Sequence, residues 1–308
     1  MNTQELLTRY ATGERDFHTV DLSGADLRGL DLTGVSLKRA ILFEADLSQV
    51  QWVGVDLTGA MLRRANLKGA CLSGAKLMGA DLSETTLVEA DLSGAMLWRS
   101  QLGHANLTNA NLSRANLHEA QLRHATIVNA NLDGANLIDA DLSAAILTAA
   151  TLRRSQLIQA KLRRVVLQGA NLERADCASA DFSDGDLSRA ELVGANLEQV
   201  NLARSQLRDA NLTGANFYQA NLTEAQLVLA TVRGANLERA ELTRSNLSEA
   251  DLSWATVDYA NFSGAILHKA VLKAVKWNFA IVRGADFSHT QLDLADLANV
   301  DRNWLVLP

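Results

Sequence analysis

The sequence predicts an all-β fold, a parallel β-solenoid with a four-sided coil, and three observations predict it. A bulky apolar residue returns at every fifth position from Phe17 to Leu297 without a slip of phase. A small residue sits two places before nearly all of these centres. Side chains 20 residues apart form columns of alternating charge.

The repeat comes first. Of the 57 centres, 45 are Leu, and 41 of the 57 residues two places earlier are Ala, so each unit offers one large and one small core side chain. Asp or Asn usually lies between them, as in Ala25-Asp26-Leu27 and Ala65-Asn66-Leu67. On an α-helix a five-residue step would rotate successive centres by about 140° and leave no core stripe. On a long flat strand an odd step would send alternate centres to opposite faces. The pattern fits a short, bent side of a coil, with the centre and the small residue inward and the other three outward.

The columns set the number of sides. Every fourth corner reads Glu44, Arg64, Glu84, His104, His124, Ala144, Arg164, Asp184, Arg204, Glu224, Arg244. Opposite charges stacked about 4.8 Å apart attract and like charges repel, so this alternation is expected if these residues lie one above another. Gly34, Gly54, Gly74, Gly94, Gly134, Gly194, Gly214 and Gly234 share another column, read as the one corner that needs φ > 0. With 20 residues per coil, the 57 centres make about 14 coils and a rod of roughly 67 Å.

This repeat strongly resembles that of the pentapeptide-repeat proteins, over about nine-tenths of the chain. The resemblance implies a right-handed quadrilateral parallel β-helix. The leader Glu5-Leu6-Leu7-Thr8-Arg9-Tyr10, followed by Gly13-Glu14-Arg15-Asp16-Phe17, is similar to the N-terminal segment of cyanobacterial members. The expected organisation is a cap with a short helix over 1–16, the β-helix over 17–300 and a C-terminal cap or tail over 301–308. Thr3 is the expected N-cap, with Leu6, Leu7 and Tyr10 covering the first coil. An indole in a slot sized for Leu overpacks, so Trp52 and Trp277 are read as local bulges.

Composition narrows the class. A chain of 308 residues that is 48% apolar, with Pro308 its one proline, is not a disordered one. The net charge of −6 is shared evenly, 14 basic against 17 acidic residues in 1–154 and 15 against 18 in 155–308. With neither half a basic arm, nucleic-acid binding is not expected. Two cysteines at different repeat positions, Cys71 and Cys177, do not make a disulfide framework, and a reducing compartment follows. The polar N-terminus offers no signal peptide, and no apolar run is long enough for a membrane helix. The expected location is the cytoplasm.

Catalytic, cofactor and metal sites are not expected. His104 and His124 stack in the coil next to Glu84, but an exposed ladder on a convex wall brings in no third ligand. No nucleophile elbow, phosphate-cradling loop or His-Glu-x-x-His motif occurs. An unbroken phase also leaves no insertion to build a concave site, so the chain reads as no enzyme.

Surface stripes are the better candidates. The residue after the centre reads Met78, Trp98, His118, Ile138 and Ile158 in five consecutive coils, with Met96 beside Trp98. All are expected to face solvent and form a partner-binding strip. Trp254, Tyr259 and Phe279, with Trp304 in the apolar tail, form a second region for capping or self-association, including a homodimer through the C-terminal end. Arg63, Arg64, Arg123, Lys161, Arg163 and Arg164 on one side, and Arg153 and Arg154 on the side opposite, are interrupted by acids and read as a solvated salt ladder. The function expected is therefore a protein-interaction scaffold or regulatory module with an unknown protein partner. The resemblance implies such a role too, since relatives include a cyanobacterial regulator of heterocyst differentiation. It also offers an alternative, the DNA-mimic members that bind and protect DNA gyrase. Those need a strongly acidic surface, whereas here 29 basic residues are interleaved with 35 acidic ones. A purely structural rod is the third reading.

Overall fold

The computed structural model describes residues 1–295 together with 299 and 300. It divides into two compact units, Met1–Gln156 and Leu157–Pro308. Each is a stack of parallel coils in which residue n pairs with residue n + 20. The bridges run from Asp16↔Ser36 to Asn136↔Gln156 in the first unit and from Lys161↔Asp181 to Val271↔Gln291 in the second. A period of 20 is four pentapeptides, so the coil is four-sided.

Hydrogen-bond accounting explains the consensus, because every backbone N–H in a strand-poor fold still needs an acceptor. In the unit around Leu92, Leu92 N–H donates to Asn111 O (2.7 Å) and Gly94 N–H to Ser113 O (2.9 Å) in the next coil. Asp91 N–H donates to Ala70 O (2.9 Å) in the coil before. Ala95 N–H closes the corner turn onto Leu92 O (3.0 Å). The fifth, Ser93 N–H, is taken by the Asp91 carboxylate (3.0 Å). The Asp or Asn of the repeat is thus an Asx acceptor for a backbone donor that the ladder does not reach.

The corner is a four-residue turn with positive φ at its third residue, as in type II. This conformation is not confined to one corner, as the glycine column had implied. It recurs at every unit, for example at Arg99 (φ 55), His104 (φ 59), Leu229 (φ 61) and Trp254 (φ 67). Tertiary hydrogen bonding holds non-glycine residues in a region that costs each about 1–2 kcal/mol. Glycine relieves that cost wherever it occurs, but the fold does not require it.

The core consists of the centres and the small residues, nearly all inaccessible to solvent. Where Ser or Thr replaces Ala, the hydroxyl donates to the carbonyl three residues back, as Ser100 does to Leu97 (2.7 Å) and Thr85 to Leu82 (2.6 Å). The two core tryptophans make no bulge. The ladder runs through Trp52, whose N–H reaches Cys71 O at 2.9 Å, and Lys276 beside Trp277 still bridges Thr256. Both indoles are wholly buried inside the coil, and neither indole N–H has a partner among the described residues. Trp277 rests among Phe262 and Phe287, with ring centroids at 5.0 and 5.7 Å.

Helix α1 spans Thr3–Ala11. Its N-cap is Asn2, not Thr3: the Asn2 side chain accepts from Glu5 N–H at 2.8 Å. Thr3 instead donates to Asp26 O (2.9 Å), while the N-terminal amine reaches Asp21 O (2.8 Å) and the Tyr10 hydroxyl reaches Thr33 O (3.2 Å). Leu6 is buried, and Leu7 and Tyr10 are half-buried. Among the described residues no helix is long and apolar enough to cross a membrane.

Candidate interaction surface

In the first unit the column after the centre places Met78, Trp98, His118 and Ile138 on one side of the coil, with Met96 two residues before Trp98. Ile158 belongs to the second unit. The expectation that all of them stand free in solvent is corrected. Met96 and Trp98 are exposed, at 44% and 38%, whereas Met78, His118, Ile138 and Ile158 are half-buried.

Trp98 is held by charged neighbours. The Arg99 guanidinium lies 4.7 Å from the indole centroid. It also donates to both carboxylate oxygens of Glu119, through Nε at 2.6 Å and a terminal nitrogen at 3.3 Å. His118 completes the node, with Nε2 3.0 Å from Glu119 and Nδ1 2.9 Å from Ile138 O. The hydrogen bond from Arg99 holds the Glu119 carboxyl below its ordinary value against a smaller opposing effect of burial. The column rule that exposed Glu44, Arg64 and Glu84 also finds Arg99 over Glu119, 20 residues apart. The apolar column alone does not show it, because Arg99 and Glu119 occupy the corner next to that column.

The predicted charge column is an ion-pair ladder. Glu84 accepts from Arg64 Nε (2.8 Å) and Arg63 Nε (3.1 Å), and Asp184 from Arg204 Nε (2.7 Å) and Arg163 Nε (3.2 Å). These donors hold both carboxyls below the usual range. Arg123 faces Asp141 at 3.8 Å, and Arg153 pairs with Asp133. His104 and His124 stack at 5.0 Å between centroids. Among the described residues no group of three His, Cys, Asp or Glu side chains is placed to hold a metal ion. Cys177 is buried, and desolvation pushes its thiol far up.

In the second unit Trp254, Tyr259 and Phe279 are exposed, at 58%, 51% and 54%. Tyr259 stacks on Phe279 (5.0 Å), and Arg239 reaches over Tyr259 (5.7 Å). Trp304 lies outside the described residues.

The fivefold grid of buried centres and bonded Asx residues is what the known families match. The model for pentapeptide repeats fits in eight copies, between residues 16 and 114 and again between 160 and 276. A second, for a pentapeptide repeat region, covers residues 100–177. The chain belongs to the pentapeptide repeat family. Its members fold as right-handed β-helices. Similar solved structures include HetL, a pentapeptide repeat protein involved in heterocyst differentiation regulation from the cyanobacterium Nostoc sp. strain PCC 7120. It shares 29% identity over 97% of this chain and 96% of its own, with a TM-score of 0.28. Rfr23 from the cyanobacterium Cyanothece 51142 is 28% identical over 37% of this chain and 88% of its own (TM-score 0.20). QnrB1, a plasmid-mediated fluoroquinolone resistance protein, is 17% identical over 75% and 92% (TM-score 0.30). No curated protein matches the sequence. The kinship is carried by the repeat itself.

Proposed function

We propose that this pentapeptide repeat protein is a non-enzymatic interaction module whose first unit binds a protein partner through the face bearing Met78, Met96, Trp98, His118 and Ile138. One observation carries the reading: Trp98 is exposed with the Arg99 guanidinium over its ring, and that guanidinium is itself held by Glu119, which His118 also contacts. An aromatic anchor ordered before binding loses little conformational freedom on association. The unbroken grid supports a role without catalysis, since it provides no loop to enclose a substrate. Carboxylates tied up in ion pairs with arginine weigh against a mimic of DNA's continuous negative charge.

A capture experiment tests the reading. Trp98→Asp combined with Ile138→Asp should abolish recovery of the partner from the native host without changing the circular dichroism spectrum. Undiminished recovery by this folded double variant would sink the proposal. We further propose self-association through Trp254, Tyr259 and Phe279, supported by their exposure. Sedimentation should then show concentration-dependent mass that Tyr259→Glu removes, and a monomer at all concentrations would refute it.

A further inference from the structure

The same face shows an excess of unfilled donors, and this bears on the chemistry of its partner. In most units Asp or Asn accepts the N–H of the residue after the centre: Thr58 donates to Asp56 (3.1 Å), His118 to Asn116 (3.1 Å) and Ile138 to Asn136 (3.1 Å). In the two coils between, Lys76 and Met96 stand in the Asx position. Among the described residues no side chain accepts from Met78 N–H or Trp98 N–H. Cations follow the same pattern. The side chains of Lys76 and Arg114 are exposed and have no ion pair among the described residues. The carboxylates nearby are occupied, Asp56 by Lys38 (3.4 Å) and Glu119 by Arg99. Asp139, at the far corner beyond Ile138, and Asp81, past the Gly79 corner, have no ion pair among the described residues, and Asp81 accepts the Ser83 N–H (2.9 Å).

The corners that border this stretch are bare. A Cβ built on Gly74, Gly79 or Gly94 meets nothing within 4 Å. Positive φ does not by itself demand glycine here, because corners such as Arg99, Glu119 and Ala144 carry side chains at the same φ. A second main chain can therefore come down beside Met78 and Met96 without meeting a side chain at the corner.

We infer that this face takes an acidic protein segment, one whose apolar residues cover Met96 and Trp98 while its carboxylates meet Lys76, Arg114 and the two backbone donors. The unfilled groups on this face, Lys76, Arg114 and the N–H groups of Met78 and Trp98, are all donors or cations, so a basic or neutral apolar partner would leave them unmatched. The inference rests on the proposed binding face and adds the charge of what binds there.

The test uses a phage-displayed library of random peptides, selected on the full chain, on Trp98→Asp, and on Lys76→Glu combined with Arg114→Glu. Peptides that depend on Trp98 should be enriched in Asp and Glu beside aromatic or aliphatic residues. Their affinity should fall about tenfold on the charge-reversed variant, a change expected when rim charges of the wrong sign meet. Raising the ionic strength from about 0.05 to about 0.5 M should weaken the same peptides on the unaltered protein, which checks the point without any substitution. Trp98-dependent peptides with no acidic excess, indifferent to salt and to charge reversal, overturn the inference and leave the face standing. Selection of the same peptides by the Trp98→Asp protein overturns the face itself.

Discussion

Asn111 Nδ2 donates to Asp91 Oδ1 at 3.0 Å, and Asn131 Nδ2 donates in turn to Asn111 Oδ1 at 3.3 Å. The ladder has a direction, and it starts on an acid. Asp176, Asn196, Asn216 and Asn236 repeat the arrangement with contacts of 2.9, 3.2 and 2.9 Å. Below Asp91 stands Cys71, which offers no oxygen to receive a side-chain amide N–H, and a carboxylate at 91 avoids leaving such a donor unused. Each Asn oxygen also accepts a backbone N–H, as Asn111 does from Ser113 at 3.1 Å.

Asn111→Leu should therefore cost more than an ordinary surface change. It removes an Asx acceptor and breaks the ladder on both sides, for an expected loss of about 1–3 kcal/mol. Asn111→Asp keeps the acceptor but sets a carboxylate over Asp91, so its loss should shrink as salt rises. Urea midpoints at two ionic strengths check both. An Asn111→Asp protein as stable as the unaltered one at low salt would contradict the directional ladder.

The left-handed corners give a prediction of opposite signs. Ala144 is held at φ 56 with a Cβ that this region disfavours, so Ala144→Gly should stabilise by about 0.5–1 kcal/mol. Gly214, at φ 66 with open space around a built Cβ, should lose about 0.5–1 kcal/mol as Gly214→Ala. Thermal melts distinguish these shifts. If both substitutions destabilise, backbone strain is not what the corners share.

Much of this was legible in the sequence because a period of five admits few geometries. The buried centres, the 20-residue register and pairs such as Arg64 with Glu84 follow from counting alone. The depth of a surface side chain does not. Met78 and Trp98 occupy the same repeat position, yet one is half-buried and the other exposed. Nor could pattern reveal that Asp91 serves the Ser93 N–H, since composition does not show which backbone donors a ladder leaves over. Asn2 and Thr3 are both good cap residues, and the choice between them was made by the distant carbonyl of Asp26, which Thr3 binds.

Trp52 tests what the interior tolerates. Its indole N–H is buried without a partner, a cost of about 1–3 kcal/mol that Phe does not carry. Trp52→Phe loses some packing volume but removes that cost, so its stability should stay within about 1 kcal/mol of the unaltered protein. Trp52→Ala should lose about 3–5 kcal/mol through the cavity it opens. Denaturation of the two variants decides the matter, and equal losses would show that packing alone governs this slot.

The paired carboxylates predict how stability responds to acid. Glu84, Glu119 and Asp184 have folded-state values below the ordinary ones through hydrogen bonds from Arg64, Arg99 and Arg204, and Asp26 is lowered to about 2 by Arg28. A group whose folded value is depressed binds protons more readily when unfolded. Its contribution is present above the unfolded value of about 4 and is lost as pH falls through the folded value. The melting temperature should therefore hold near neutrality and decline from about pH 4 towards about pH 2. All four groups lie at the surface, so salt should shrink the slope. Asp184→Asn removes one of them and should flatten the decline while lowering stability at pH 7. A melting temperature that rose on acidification, or an unchanged slope in Asp184→Asn, would refute the assignment of these pairs as the acid-sensitive contacts.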